Sequence, residues 1–393
     1  MKDMIEGIPV ARLNEFNSER VSLEQFRERL VRRDFGVEYI CTAPLSVGGA
    51  ASARVFSPGP LGSGASANFR ERFYRMNGHR WPPEHLTLLN KPCYLVVATG
   101  VVVLEDGRIL LDSIYPSTGE KTVSRLIGGG LTADRFSDYL REAETLQNDN
   151  WAPLLSRWSN VYFHGVSESM VHDAALSRSG LSGLVRYLAP LRRHQVQDLV
   201  VQCASAPIRI CNTPVVKVPR LVLSSLLYRH AAMGFDFFEF VQRTKIRSLM
   251  SSLEMPLEAK DRIYVARFGA RARSMTNEQT LADALVAMGF HIFRGDGLSF
   301  ENQVRALSGA KLIVGAHGAG LVNAAFARPG ATLFELRPLN RAGESPMWTA
   351  SYLRLSSIMG FAYCTHVSEN EPDSEVWTAN IDEITSSVRG LIS

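Results

Sequence analysis

The clearest pattern of apolar and polar positions lies in the last third of the chain. Leu312, Ile313 and Val314 form a short continuous apolar run of the kind buried in a parallel sheet. Gly315, Gly318 and Gly320 punctuate the turn that follows, and Leu321 to Ala327 reads as a helix ended by Arg328-Pro329-Gly330. Ala331 to Leu336 is a second buried run, so Lys311 to Leu336 predicts one βαβ crossover with a glycine turn at the carboxyl end of its first strand. The same alternation continues upstream. Arg262 to Arg267 reads as a buried strand ending in arginine, Gln279 to Met288 as a helix closed by Gly289, His291 to Arg294 as a strand and Ser299 to Ser308 as a helix. That order predicts a doubly wound α/β domain of about a hundred residues.

The rest of the chain carries weaker patterns. Leu23 to Arg33 has amphipathic helical spacing, and Pro44 to Asn68 is a small-residue stretch that reads as loop. Beyond it, strands are predicted over Tyr94 to Leu104 and Ile109 to Tyr115, a helical region over Asp134 to Glu144, and a strand over Val161 to His164. A helix over Gly180 to Leu191, a strand over Asp198 to Val201 and a helix over Leu221 to His230 complete that region. Phe235 to Leu253 reads as a helix or linker into the second domain. The tail has helical spacing in Ile381, Ile384, Val388 and Leu391, and is expected to cross back to the first domain. The resulting division is 1–90 as a helical and loop extension, 91–245 as a first α/β domain, 246–360 as a second α/β domain, and 361–393 as the tail helix. No internal repeat is visible.

Composition narrows the class. A chain of 393 residues, 46% hydrophobic, is long and apolar enough for two cores. Its net charge of +4, from 43 basic and 39 acidic residues, does not suggest a nucleic-acid binder. The five cysteines, Cys41, Cys93, Cys203, Cys211 and Cys364, follow neither a metal pattern nor a disulfide framework, which favours a reducing compartment. The opening Met-Lys-Asp-Met-Ile-Glu-Gly does not read as a signal peptide, and no stretch approaches the ~18 consecutive apolar residues of a spanning helix. A cytoplasmic protein is therefore expected. The basic stretches Arg20 to Arg33 and Phe69 to Arg80 offer peripheral contact with the inner face of an acidic membrane, against the plainer reading as wet helix faces.

The glycine turn suits an anion, because glycines let backbone approach a phosphate and the following helix presents free N–H groups. His317 adds a side-chain donor there. The spacing G-x-x-G-x-G differs from the G-x-G-x-x-G of dinucleotide dehydrogenases, and a tight turn with a structural histidine is the bland alternative. Arg267, Arg271 and Arg273 crowd a second strand-to-helix connection, where Thr276 or Asn277 is the natural N-cap and Glu278 complements the helix dipole. Guanidinium groups suit forked recognition of phosphate oxygens, although a solvated basic loop has the same composition. Neither Asp-x-Asp nor His-Glu-x-x-His occurs, so no metal site is predicted and arginine, histidine and helix-dipole donors are left to neutralise a diphosphate.

The runs R-I-Y-V-A-R, R-S-M-T-N-E, L-V-A-M-G-F, I-V-G-A-H-G-A-G-L-V-N, F-A-R-P-G-A and F-E-L together resemble the C-terminal domain of glycosyltransferase family 61, through roughly Ile263 to Leu336. That family includes plant xylan transferases, animal O-linked GlcNAc transferases of the secretory pathway and bacterial capsule biosynthesis proteins. A weaker echo runs from Asn160 to Glu168, where Gly165 stands in place of the family's tryptophan and Val171 in place of its proline. A further echo covers Cys93 to Ala98 and Val101 to Arg108.

The resemblance implies a GT-B fold, two Rossmann-like doubly wound α/β domains facing a cleft, and inverting transfer from a nucleotide sugar, UDP-linked in most of the family. The acceptor would be a glycan or lipid-linked glycan of a bacterial surface polysaccharide, with no cofactor beyond the donor. On this basis Arg267 and Arg273, with Arg271, take the diphosphate; Gly318, Ala319 and Gly320 supply backbone donors; and His317 caps the phosphates or the sugar. Asn277 is counted with the donor-binding residues, Asn323 holds the turn or touches the nucleotide, and Glu335 takes ribose hydroxyls or is simply paired with Arg337. Glu168 is the first candidate for the base and His164 the second, with Asp112 and His172 in reserve. Two alternatives stay open: a degenerate transferase that binds glycan without turnover, and another nucleotide-sugar enzyme, which would want a Tyr-x-x-x-Lys pair that the sequence lacks.

Overall fold

The computed structural model describes residues 4–5, 8–12, 15–16, 18–32, 40–44, 54–55, 85–114, 135–154, 161–190, 199, 201–225, 235–250, 260–338, 350–368 and 376–392. The basic stretch Phe69 to Arg80 and most of Pro44 to Asn68 lie outside these residues. The chain forms two compact units, Met1–Gly48 with Trp81–Ala232 and Gly49–Arg80 with Met233–Ser393. Among the described residues no helix is long and apolar enough to cross a membrane.

The second unit is built on six parallel strands in the order His291–Phe293, Arg262–Val265, Leu312–Ala316, Thr332–Pro338, Ala362–Ser368 and Arg54–Val55. Leaving out the short edge strand from residues 54–55, this is the 2-1-3-4-5 order of a doubly wound sheet. The apolar runs behave as parallel strands covered on both faces should, since all five residues of Leu312–Ala316 are buried. Leu312, Val314 and Ala316 join one core with Leu281 and Leu285 of the helix Glu278–Ala287 and with Ile384 and Val388 of the helix Ile381–Ile392. The terminal helix, expected to reach back to the first domain, thus buries its apolar face in the second unit. A separate group packs together from the helices Phe235–Met250, Phe300–Leu307 and Ser351–Met359 and the 3₁₀ segment Ala319–Phe326. Ser299 caps the Phe300–Leu307 helix, its Oγ accepting the Asn302 N–H at 3.2 Å.

The first unit departs from the expected Rossmann-like domain. Its described residues form two mixed seven-stranded sheets, not one parallel sheet. One contains the parallel strands Ile208–Cys211, Arg186–Pro190, Asn150–Pro153 and Arg220–Ser224, continued by His85–Leu89 running antiparallel to Arg220–Ser224. The other contains the hairpin Cys93–Val96 and Val101–Leu104, flanked by Val215–Val218 and Ile109–Leu110. The N-terminal segment, read as helix and loop, also supplies strands to both sheets. Its helix Leu23–Arg32 opens with a reciprocal capping box, Ser22 N–H donating to Gln25 Oε1 at 2.9 Å and Gln25 N–H to Ser22 Oγ at 3.2 Å.

Four predicted elements change type here. Leu221 to Ser224, read as helix, is strand buried at every position; a fully buried strand shows no alternation to distinguish it from a buried helix. The Gly180 to Leu191 helix is a pair of turns followed by the strand Arg186–Pro190. Val161 to His164 begins a long helix instead of forming a strand, and residues 199 and 201–203 are helical where a strand was expected. In the second unit, the helix after the glycine turn is a 3₁₀ segment.

Candidate active site

In a 2-1-3-4-5 sheet, the crossovers leaving the first and third strands go to opposite faces, and a crevice opens outside their carboxyl ends. The first strand here is Arg262–Val265 and the third Leu312–Ala316, so the crevice is bounded by Arg267 and by His317 and Gly318. Arg267 bridges it: Nη1 donates to the His317 carbonyl at 2.7 Å and Nη2 to the Ala272 carbonyl at 3.2 Å. Its backbone N–H donates to Glu278 Oε1 at 2.6 Å, an oxygen that also accepts from the Tyr264 hydroxyl at 3.0 Å. Glu278, in the first turn of its helix, therefore fixes the backbone that carries Arg267 as well as complementing the dipole. Gly318 is required by this close approach. A Cβ there would lie 2.6 Å from Arg267 Cζ and 2.8 Å from Cδ.

Arg273 shares the crevice. Burial, then the charge of Arg273, holds the Arg267 guanidinium below the usual arginine range. Arg273 takes a left-handed φ of 56°, the single non-glycine residue among those described with positive φ. Such a backbone costs of order 1–3 kcal/mol and persists where its surroundings over-determine it. Here the Trp377 indole holds it, donating to the Arg273 carbonyl at 3.1 Å. The N–H groups of Ala319 and Gly320, at the start of the 3₁₀ segment, have no acceptor within that segment, and Gly318 just before them packs against Arg267.

Behind the turn lies a buried relay. His317 Nδ1 meets Glu335 Oε1, and the Tyr363 hydroxyl donates to Glu335 Oε2. Arg337 Nη1 stands 4.0 Å from the same Oε2. Burial alone would raise the Glu335 pKa, but Arg337, His317 and Tyr363 together outweigh it and hold the carboxyl below its ordinary value. Burial pushes His317 down, with Arg337 and Arg273 adding to it and Glu335 opposing. The consistent state at neutral pH is a carboxylate accepting Nδ1–H from a neutral imidazole whose lone pair is on Nε2. The ring lies edge-on to Tyr352 at 5.4 Å, and the Tyr352 hydroxyl donates to the Gly318 carbonyl.

The first unit contains a similar pair. His164 Nδ1 and Glu168 Oε1 are 2.7 Å apart, one turn from each other on the helix spanning 162–178. Residues Gly165–Ser169 of that helix form a π turn, a local widening often found at functional sites. Glu168 is fully buried and His164 nearly so.

The sequence profile of Glycosyltransferase 61 matches residues 134–334, more than half of the chain and inclusive of both histidine pairs' histidines. The chain belongs to glycosyltransferase family 61. A comparison with curated proteins returned no match. Membership makes the protein a glycosyltransferase, and family 61 enzymes in general take a nucleotide-sugar donor and a glycan acceptor.

Within this family 61 glycosyltransferase, the crevice brings together Arg267, Arg273, His317, Gly318, Ala319 and Gly320. Arg271 is exposed on the connecting loop and makes no hydrogen bond among the described residues. Glu335, Asn277 and Asn323 are each engaged within the protein. Glu335 is 0% exposed with both oxygens engaged, so it orients His317 and cannot reach a ribose. Asn277 makes a reciprocal pair with Ala379, Nδ2 donating to its carbonyl at 2.8 Å and Oδ1 accepting its N–H at 2.9 Å, which ties the C-terminal segment to the helix start. It stands at the N-cap position without capping. Buried Asn323 donates to Gln303 Oε1 at 2.8 Å, bracing the 3₁₀ segment on the Phe300–Leu307 helix. Of the reserve candidates, Asp112 lies in the 3₁₀ turn Leu111–Ser113 and His172 is fully buried. Sequence reasoning did not assign Tyr264, Tyr352, Tyr363 or Trp377 to the site. A tyrosine in a buried strand needs a partner for its hydroxyl, and that is the signal that could have found the first and third. Among the described residues, no three His, Cys, Asp or Glu side chains are grouped to hold a metal ion.

Proposed function

We propose that the enzyme transfers a sugar with inversion from a nucleoside diphosphate donor, in the first place a uridine diphosphate sugar, to a hydroxyl of a glycan or glycolipid in bacterial surface polysaccharide synthesis, without a metal ion. The second unit is the donor domain of a GT-B-type enzyme in this proposal. The observation that carries it is the position of Arg267 at the switch point of a parallel sheet, bonded to the His317 carbonyl, close to Arg273 and packed against Gly318 at the start of the 3₁₀ segment. Charge develops on the departing diphosphate in the transition state, and fixed guanidinium and amide donors stabilise it without reorganisation. His317, kept neutral with its lone pair on Nε2, accepts a hydroxyl of the donor's sugar or ribose more readily than it donates to phosphate.

The proton of the acceptor hydroxyl goes to the His164–Glu168 pair. With Nδ1–H donated to buried Glu168, Nε2 of His164 is the basic atom, and the imidazolium formed is stabilised by the carboxylate. Glu168 thus becomes the orienting carboxylate and His164 the proton acceptor.

Thermal shift with uridine diphosphate tests the donor site, and Arg267→Ala or Arg273→Ala should remove most of the shift. Glu168→Gln should keep the shift and lower turnover by about 10²- to 10⁴-fold, because the base His164 then loses the carboxylate that fixes its tautomer and stabilises its imidazolium. Activity that disappears with a chelator and returns with manganese would overturn the metal-free mechanism.

A further inference from the structure

The backbone of Gly318 decides where the peptide groups on either side of it point. At a φ of 176° and a ψ of 166° the residue is fully extended. In an extended residue with planar trans peptides, its own N–H and C=O point to one side of the chain, while the preceding carbonyl and the following N–H point to the other. The Gly318 N–H and carbonyl therefore share one side. The His317 carbonyl shares the opposite side with the Ala319 N–H.

The two sides have different partners. On one, Arg267 Nη1 donates to the His317 carbonyl at 2.7 Å. On the other, the Gly318 carbonyl accepts the Tyr352 hydroxyl and, at 3.1 Å, the Leu321 N–H. Ala319 is half-buried, and its N–H, the first of the 3₁₀ segment, meets no acceptor among the described residues. That N–H emerges on the side where Arg267 bonds.

Tyr352 holds the arrangement from behind. It lies on the helix Ser351–Met359, 2% exposed, with its ring edge-on to His317 at 5.4 Å. Burial, then the Glu335 carboxylate, pushes the pKa of its hydroxyl up, so the group stays protonated and donates. Turning the Gly318–Ala319 peptide over would take the acceptor away from that buried hydroxyl. Because the C=O and N–H of one peptide are rigidly opposed, a donor that grips the carbonyl also aims the N–H.

We propose that Tyr352 is a positioning residue for donor binding: by gripping the Gly318 carbonyl it aims the Ala319 N–H to the side of the chain where Arg267 stands, so that amide and guanidinium meet one phosphoryl group together. The proposal rests on the donor reading of the crevice. It also selects Ala319 over Gly318 as a backbone donor of the turn, since the Gly318 N–H faces the tyrosine's side.

Two variants separate aiming from packing. Tyr352→Phe keeps the ring beside His317 and deletes the hydroxyl. Ala319→Pro deletes the N–H, since proline is tolerated at the first position of a helical segment and the extended Gly318 has the backbone that a residue before proline requires. Calorimetry with inorganic pyrophosphate and with uridine diphosphate should show affinity lower by about 3- to 10-fold in Tyr352→Phe and by about 10-fold or more in Ala319→Pro, the scales of a neutral and of a charge-assisted hydrogen bond. In the double variant, Tyr352→Phe should add no further loss, because the group it aims is gone. A merely structural role for Tyr352 would lower affinity equally in both backgrounds. That outcome, or wild-type affinity in Ala319→Pro, would overturn the proposal. Pyrophosphate binding that is lost in Arg267→Ala but kept in Ala319→Pro sinks the aiming role alone, whereas a wild type that takes neither ligand overturns the donor reading as well.

Discussion

The glycine turn contains three glycines whose replacement by alanine should have three different results, because the space beside each differs. At Gly318 the φ of 176° is extended backbone open to any residue, so the effect of a methyl group is purely steric. It would lie 2.6 Å from Arg267 Cζ and 2.8 Å from Cδ, well inside contact, and the arginine must swing out of the crevice. That breaks the 2.7 Å bond from Nη1 to the His317 carbonyl and removes the guanidinium from the proposed diphosphate site. A hydrogen bond to a charged group is worth about 1.5–3 kcal/mol, so nucleotide affinity should fall about 10- to 150-fold.

At uridine diphosphate concentrations 100 times the wild-type Kd, ligand stabilises the wild type by ~2.7 kcal/mol, and a variant weakened 100-fold by only ~0.4 kcal/mol. Gly318→Ala should thus lose nearly all of the shift. Two positions on, a Cβ at Gly320 finds its nearest neighbour, Val265 Cγ1, at 4.0 Å, and Gly320→Ala should bind like the wild type. At Gly315 the methyl meets Leu321 Cδ1 at 2.8 Å, Val265 Cβ at 3.1 Å and a backbone oxygen at 3.3 Å. There the cost appears as overpacking, about 1–3 kcal/mol lost from the ligand-free protein. Equal nucleotide affinity in Gly318→Ala and Gly320→Ala, measured by calorimetry, would refute this account of the crevice.

Three further outcomes follow from the same geometry. Burial pushes His172 down to about 3, and neither ring nitrogen has a hydrogen-bond partner; its folded pKa is below the unfolded value, so protonation favours the unfolded chain and its stabilising contribution is lost as pH falls below about 6.5 toward 3. Unfolding free energies from urea titrations should fall by a little over ~1 kcal/mol more in the wild type than in His172→Leu between pH 5.5 and 4.5, and by somewhat less per pH unit between pH 7 and 5.5, and parallel curves would refute it. Asn277→Ala should cost about 1–3 kcal/mol of stability by freeing Ala379, yet leave uridine diphosphate affinity unchanged once folded; weaker binding would restore Asn277 to the donor site. Trp377→Phe removes the indole bond that holds Arg273 in its left-handed backbone, and should cost about 1 kcal/mol of stability together with a severalfold loss of nucleotide affinity, against no affinity change if Arg273 lies outside the site.

The second unit was legible because each of its elements carries its own stop. Gly289 ends one helix at a φ of 83°, Ser299 starts the next with a side-chain cap, and Pro329-Gly330 closes the crossover. Its strands are parallel and covered on both faces, so they appear as continuous apolar runs. The first unit lacks such separation. Its strands pair in mixed directions, and Leu221-Val-Leu-Ser is as apolar as a buried helix. Val161-Tyr-Phe-His164 has the composition of a strand, yet it starts a helix whose residues Gly165 to Leu176 are all buried, and tertiary burial overrides the local preference. Glu335 shows the limit in another way. A carboxylate inside an apolar strand announces a buried partner, and Arg337 was visible two positions on. What sequence spacing could not show is that strand pairing places Glu335 opposite Gly315, two residues before His317, where its Oε1 takes the ring.

The two histidine–carboxylate pairs use one local device, and the proposed mechanism gives the proton to only one of them. At His317, Arg337 and Arg273 add to burial in opposing a positive ring, so an imidazolium there would form beside two guanidinium groups. Accepting the hydroxyl proton at that ring would also put a second mobile charge where the donor's diphosphate needs fixed ones. His164 meets buried Glu168, and on the proposed mechanism proton uptake turns a neutral-ring hydrogen bond into an ion pair. On the proposed mechanism the enzyme therefore divides its labour: groups that stay charged without exchanging protons meet the leaving diphosphate, and the pair in the first unit exchanges the proton. A pH profile for turnover should then respond to Glu168→Gln and be insensitive to Arg267→Lys, which preserves charge while giving up forked geometry. If Arg267→Lys moves the profile and Glu168→Gln does not, the assignment of roles between the two units is reversed.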